Sequence, residues 1–230
     1  MSTKELTIRY LILIPGVFVL AFGIAFITKA GLGTSPISSI PYTLSLIIPA
    51  VTLGQFTILV NVAIVITEAI ILWGKPGSIM DRPSGKALPW PEAVVQIALS
   101  FALGYCIDIS MYLLRWFDPV SYPAQIVFVV IGCIIMAFGI YIQLAANVAM
   151  APGDALARAI AAVTGKSYPN IRLISDASMV SASAILCLVF LHALTGVREG
   201  TVICAILTGN VIRVYKRLIP LDNAIRKLFE

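Results

Sequence analysis

Two stretches of this chain repeat each other at a fixed offset of 116 residues. Ala21-Phe22-Gly23-Ile24 recurs as Ala137-Phe138-Gly139-Ile140, Ala30 matches Ala146, and Pro36 matches Pro152. After a one-residue gap, Asn61-Val62-Ala63 aligns with Asp176-Ala177-Ser178, and a weaker echo sets Leu103-Gly104-Tyr105 against Thr208-Gly209-Asn210. Shared Gly and Pro weigh more than shared apolar residues, because they fix backbone geometry instead of filling space. In a strongly apolar chain, such a duplication predicts a membrane protein built from two structural repeats.

Composition fixes the solvent. Hydrophobic residues make up 60% of the chain and charged residues 12%, with a mean hydropathy of +0.99. A soluble domain carries roughly twice that charged fraction. No charge interrupts Pro119 to Gly153, and about 20 apolar residues suffice to span a bilayer. The run from Tyr10 to Thr28 is too long for a signal-peptide core and lacks a small-x-small cleavage site, so it reads as a retained span. Cys106, Cys133, Cys187 and Cys204 lie in apolar runs without CxxC spacing, which predicts small buried hydrophobes and no metal site. The net charge of +5 follows membrane topology, so no nucleic-acid partner is expected.

Six runs are long enough to cross: about 10–29, 54–73, 91–114, 121–145, 170–193 and 198–215. Two segments of about 13 residues remain, 36–48 and 152–164. At 1.5 Å per residue each reaches only ~20 Å, the length of a half-helix. Pro36 and Pro152 suit the first helical position, where the missing N–H costs nothing. Ser35 is a favourable N-cap for the first; Ala151 is a poor one for the second, with Asp154 as partial compensation.

Basic residues decide whether these segments cross. If both are re-entrant and both termini are inside, every Lys and Arg except Lys29, Arg115 and Arg198 falls on the inner side. Full crossing would move Lys75, Arg82 and Lys86 outside, against the retention of positive charge in the cytoplasm. The expected fold is an all-α polytopic membrane protein with six transmembrane helices and two re-entrant half-helices in a 3+3 inverted repeat. Residues 1–116 form the first repeat and 117–217 the inverted second. Residues 218–230 form a cytoplasmic amphipathic tail, since Leu221, Ile225, Leu228 and Phe229 recur at helical spacing, with a solvated, frayed terminus as the alternative.

Inversion brings two half-helix N-termini together near the midplane, each with unsatisfied N–H donors and a partial positive charge. Thr34, Ser35 and Ser38 surround the first; Gly153, Asp154 and Arg158 surround the second, with Asn147 just before it. Asp154 and Arg158, four residues apart, can neutralise each other. Charges inside spans cost at least ~2.5–3.5 kcal/mol on insertion scales, which makes each a functional candidate. Asp176 and its repeat partner Asn61 sit at matching depths, so Asp176 is a candidate for ion coupling, with a local pair to Arg172 as the structural alternative. Asp108 is a second coupling candidate, with Arg115 as an alternative partner. Glu68 lies near the inner end of its span and can snorkel to water. No nucleophile–base set, nucleotide loop or metal constellation is present in the sequence, so neither an enzyme nor a cofactor is expected.

The segments AFGIAFITKAGLGTSP, LGQFTILVN and APGDALARAIAAVTGKS resemble the YczE/YitT-like family of bacterial integral membrane proteins, over about residues 10–215. The resemblance implies the fold and an inner-membrane location, and leaves the substrate open. Where family members carry Trp-Asp after Ser-Pro, this chain has Ile37-Ser38, so one of its two half-sites lacks an acid. The residues point to a small transporter or facilitator of a small polar or anionic solute. A passive channel, a translocator of lipids or lipid precursors, and an accessory protein of a membrane complex stand as alternatives. The expected partners are the lipid bilayer, a small solute and a possible second copy of the chain.

Overall fold

In the computed structural model, residues 3–73, 89–148 and 150–219 are described. The expected basic loop between the second and third spans (74–88) and the expected surface helix after 220 lie outside the described residues. Those described are helical, without strands. The helices are α1 (Thr3–Lys29), α2 (Ser39–Ile47), α3 (Leu53–Trp73), α4 (Pro89–Leu113), α5 (Tyr122–Ala146), α6 (Pro152–Thr164), α7 (Tyr168–Leu186) and α8 (Glu199–Leu218). A π-helical turn, Cys187–Leu191, extends α7.

Five segments are long and apolar enough to cross a membrane: Thr7–Lys29, Leu53–Leu72, Ala93–Leu113, Tyr122–Ala146 and Tyr168–Leu191. The sixth expected span, α8, falls short of that apolarity because Glu199, Arg213, Lys216 and Arg217 share its 20 residues.

The first short segment is not one helix. A 3₁₀ turn, Pro36–Ser38, precedes α2. Pro41 explains this: a regular helix starting at Pro36 would need a Pro41 N–H for the Ile37 carbonyl and would press the ring against it. Starting at Ser39 puts Pro41 in the first turn, where no N–H is needed. The second segment, α6, starts at Pro152 and ends at Gly165, whose φ of +68° is the left-handed conformation that closes helices.

The ends of α1 and α5 match in backbone as well as sequence. Gly31 (φ +78°) follows α1, and its repeat partner Asn147 (φ +48°) follows α5. Asn is among the non-glycine residues that best tolerate this region.

The core lies between α1 and α5, where Leu20, Ile24, Ile27, Val129 and Met136 are buried together with Ile107 of α4 and Cys204 of α8. Glycines let the two backbones approach. A Cβ on Gly23 would lie 2.5 Å from the Met136 nitrogen, and one on Gly139 would collide with the Leu20 nitrogen. Further out, Gly16 meets Gln143, whose Nε2 donates to the Gly16 carbonyl at 3.4 Å, and Gly132 meets Ile27. As the α1 partner advances from Gly16 through Leu20 and Gly23 to Ile27, the α5 partner retreats from Gln143 through Gly139 and Met136 to Gly132. The helices are therefore antiparallel. Each contact also has a mate generated by exchanging the two repeats.

Other contacts pair off in the same way. α1 packs on α4 as α5 packs on α8, α3 on α6 as α7 on α2, and α2 on α3 as α6 on α7. One contact has no mate of comparable extent. α3 and α4 pack tightly through Gly54 and Gly104, whereas α7 and α8 do not.

Candidate functional site

The two breaks meet. A Cβ on Gly153, at the start of α6, would collide with Cδ1 of Ile37 in the 3₁₀ turn, and Ile37 and Gly153 are themselves repeat partners. Both breaks are buried: Thr34, Ser35, Pro36, Ser38, Pro152 and Gly153 are shielded from solvent.

The first break is lined by hydroxyls that bond to one another and to nearby carbonyls. Thr28 Oγ1 donates to the Ile24 carbonyl (2.8 Å), so Thr34 Oγ1 donates to Thr28 Oγ1 (3.0 Å). Ser35 occupies the N-cap position but makes no side-chain cap; its hydroxyl donates to Ser38 Oγ at 3.1 Å. Ser39 Oγ donates to the Pro36 carbonyl (2.6 Å). Ser183 of α7 donates to the Ser39 carbonyl (3.0 Å), which leaves Thr43 Oγ1 to donate to Ser183 Oγ (2.6 Å). The Cys187 thiol completes the chain against Thr43 at 3.3 Å. The Thr43, Ser39 and Ser183 bonds join α2 to α7. Thr28, Thr43 and Ser183 escape sequence reasoning because their hydroxyl partners are set by tertiary packing and by the break itself.

The second break carries charge. Asp154, at the third position of α6, accepts an ion pair from Arg172 of α7, and the side chains are 14% and 40% exposed. The expected Asp154–Arg158 neutralisation is corrected: the helix turns Arg158 toward the Tyr168 ring, 6.0 Å from its centroid. Arg172 also donates to the Tyr168 hydroxyl at 3.1 Å. Arg172 reaches across to Asp154 of α6 and keeps Asp176 within its electrostatic reach. Asp176 is half-buried one helical turn further along α7. Asn61 is buried on α3, and Asn147 is exposed at the end of α5.

Asp108 has a different set of partners. Its carboxylate accepts from Thr52 Oγ1 (2.7 Å) and from the Gly54 backbone N–H (2.9 Å) at the start of α3. Thr52 and Gln55 also cap each other reciprocally, Gln55 N–H to Thr52 Oγ1 and Thr52 N–H to Gln55 Oε1, both at 3.1 Å. This is a capping box, and its Thr-x-x-Gln spacing is readable in the sequence. Arg115, the alternative partner for Asp108, instead lies over Tyr112 and Trp116 at 4.6 and 4.7 Å. Glu68, expected to reach water, is 4% exposed. Cys133 of α5 and Cys204 of α8 are fully buried and bring their sulfurs to 2.8 Å as free thiols. Among the described residues no group of three metal-ligating side chains gathers.

Comparison with known proteins identifies the family. The model of a family described as "Family of unknown function (DUF6198)" matches residues 7–217. An "Uncharacterized membrane protein YczE" of Bacillus subtilis (strain 168) is 23% identical over 214 residues, covering 91% of this chain and 86% of that relative. No solved structure matches.

Proposed function

The chain belongs to the DUF6198 family, and from that footing we propose that it is a small membrane transporter or facilitator for a small polar or anionic solute. The solute binds near the bilayer midplane, between the starts of the 3₁₀ turn and α6. One observation carries this reading: the two breaks, related by the repeat, touch at Ile37 and Gly153. Irregular backbone at membrane depth persists only where it is enclosed by protein or lines a wet cavity. A meeting of two such breaks beside retained charges matches the sites of inverted-repeat carriers.

The architecture we infer has six spans. α8 completes the set, since its 20 residues reach ~30 Å as a helix and Arg213, Lys216 and Arg217 cluster at one end. Basic side chains there snorkel to the inner interface. α2 and α6, with 9 and 13 residues, are re-entrant. The antiparallel α1–α5 crossing and the mated contacts support a two-fold axis lying in the membrane plane. The distribution of basic residues supports a bacterial inner-membrane location with both termini cytoplasmic.

In this reading Thr34, Ser35, Ser38, Asn61, Asn147, Gly153, Asp154 and Arg158 surround the solute path. Coupling falls to Asp176; Asp108, whose oxygens are taken up at the start of α3, holds α3 to α4 instead. The test is a thermal-shift screen of purified protein against small metabolites, followed by uptake into proteoliposomes. We expect a stabilising solute whose uptake saturates and is lost in Arg158→Gln. Stable co-purification with another membrane complex, with no solute effect, contradicts the reading and favours an accessory role.

A further inference from the structure

Four charges gather where α6 meets α7, and their pairing is uneven. Asp154 and Arg172 form an ion pair across the helices. Arg158, half-buried on α6, has no ion-pair partner among the described residues. It lies over the Tyr168 ring, whose hydroxyl accepts from Arg172. Tyr168 therefore forms a wall shared by both cations. Asp176, half-buried on α7, interacts electrostatically with Arg172 and with Asp154 of α6. The ionisable group of α2, Tyr42, lies instead toward Cys187 and Arg198. With two arginines and two aspartates the empty cluster is neutral.

Building on the transport reading above, we propose that the solute is a small carboxylate monoanion seated on Arg158 against Tyr168, and that each solute travels with one proton carried by Asp176. The guanidinium fork matches the two oxygens of a carboxylate, and this is the one arginine of the cluster not already paired. Adding a negative charge to a neutral site of low dielectric is costly. Proton uptake from solution converts the Asp176 carboxylate to the neutral acid and restores balance, and loss of that proton on the other side accompanies solute release. The first repeat has Asn61 in place of Asp176 and Tyr42 in place of Arg158, so the second repeat alone carries both functions.

The probes are sodium formate, acetate, pyruvate and lactate, with acetamide as the neutral counterpart of acetate. Full-length protein is titrated at fixed ionic strength and at several pH values between 5.5 and 7.5, with thermal stability as the readout. At least one carboxylate stabilises the protein and acetamide does not. Binding tightens as pH falls, by up to about tenfold per pH unit while Asp176 of the empty site is ionised. Asp176→Asn retains carboxylate binding and flattens its pH dependence. Arg158→Gln abolishes the effect, and Arg158→Lys retains part of it, keeping the charge without the fork. The proposal is overturned by equal stabilisation from acetamide, by no effect from any of the four carboxylates, or by unaltered pH dependence in Asp176→Asn. If Arg158→Gln does not fold, the acetate–acetamide comparison and Arg158→Lys still decide. Uptake assays separate the two layers: saturable uptake of a neutral or cationic solute sinks this proposal alone, while carboxylate binding without uptake sinks the transport reading.

Discussion

Replacing Gly23 by Ala tests the helix crossing on which the architecture rests. The new Cβ would lie 2.5 Å from the Met136 nitrogen and 2.6 Å from its Cα. These are backbone atoms, so no rotamer change can make room, and α1 and α5 must separate. Restoring ordinary contact takes about 1 Å of separation, and overpacking of this kind costs ~1–3 kcal/mol. The gain in helix propensity from Gly to Ala offsets about 1 kcal/mol of that, leaving a net loss of up to ~2 kcal/mol. Gly139→Ala meets Leu20 in the mated position and should cost a similar amount. Because one separation relieves both clashes, the double variant should cost less than the sum of the singles. Gly209→Ala is the control: nothing lies within 4 Å of its Cβ, so it should be neutral or stabilising by up to ~1 kcal/mol. Equilibrium unfolding in mixed micelles, followed by far-ultraviolet circular dichroism, measures all four variants. Wild-type stability in either Gly23→Ala or Gly139→Ala would refute the close antiparallel crossing.

Other elements give independent tests. Asp108→Ala leaves the Gly54 N–H and the Thr52 hydroxyl without their acceptor, and should destabilise by ~1.5–3 kcal/mol as a charge-assisted bond is lost; Arg115→Gln should change little, and the reverse order would restore the Asp108–Arg115 pairing. Arg172→Gln should destabilise more than Arg158→Gln in the same unfolding assay, because only the first strands the Asp154 carboxylate. Mild oxidation with copper phenanthroline should join Cys133 to Cys204, whose sulfurs are 2.8 Å apart, giving a linked peptide pair by mass spectrometry that is absent in Cys204→Ser.

Much of the helical layout is legible in the sequence because its causes are local. The bounds of α6 follow from Pro152 and Gly165, and the expected ends of α5 lie within a residue of those found. The start of α2 is displaced because Pro41 vetoes a regular helix from Pro36, a cause also present in the sequence. Asn147 at positive φ matches Gly31 because Asn and Gly share tolerance for that conformation, so the repeat extends to the backbone. The site is less legible, since its pairings form between helices. Spacing puts Arg158 within reach of Asp154, yet a side chain from α7 reaches it first. Asp108 looks like a membrane-embedded charge until the start of α3 is placed against it. The burial of Glu68 depends on how α3 packs, and helix periodicity alone does not supply that.

The central claim is that the second repeat is the first turned upside down, with both short segments entering and leaving on their own side. The turn at Ala50 and the turn at Ser167 occupy equivalent places in the two repeats and are exposed. In a variant lacking the four native cysteines, Ala50→Cys and Ser167→Cys are each labelled in intact cells with a membrane-impermeant maleimide. The account predicts labelling at position 50 and none at 167 until the membrane is permeabilised. Labelling of both positions, or of 167 alone, would contradict it.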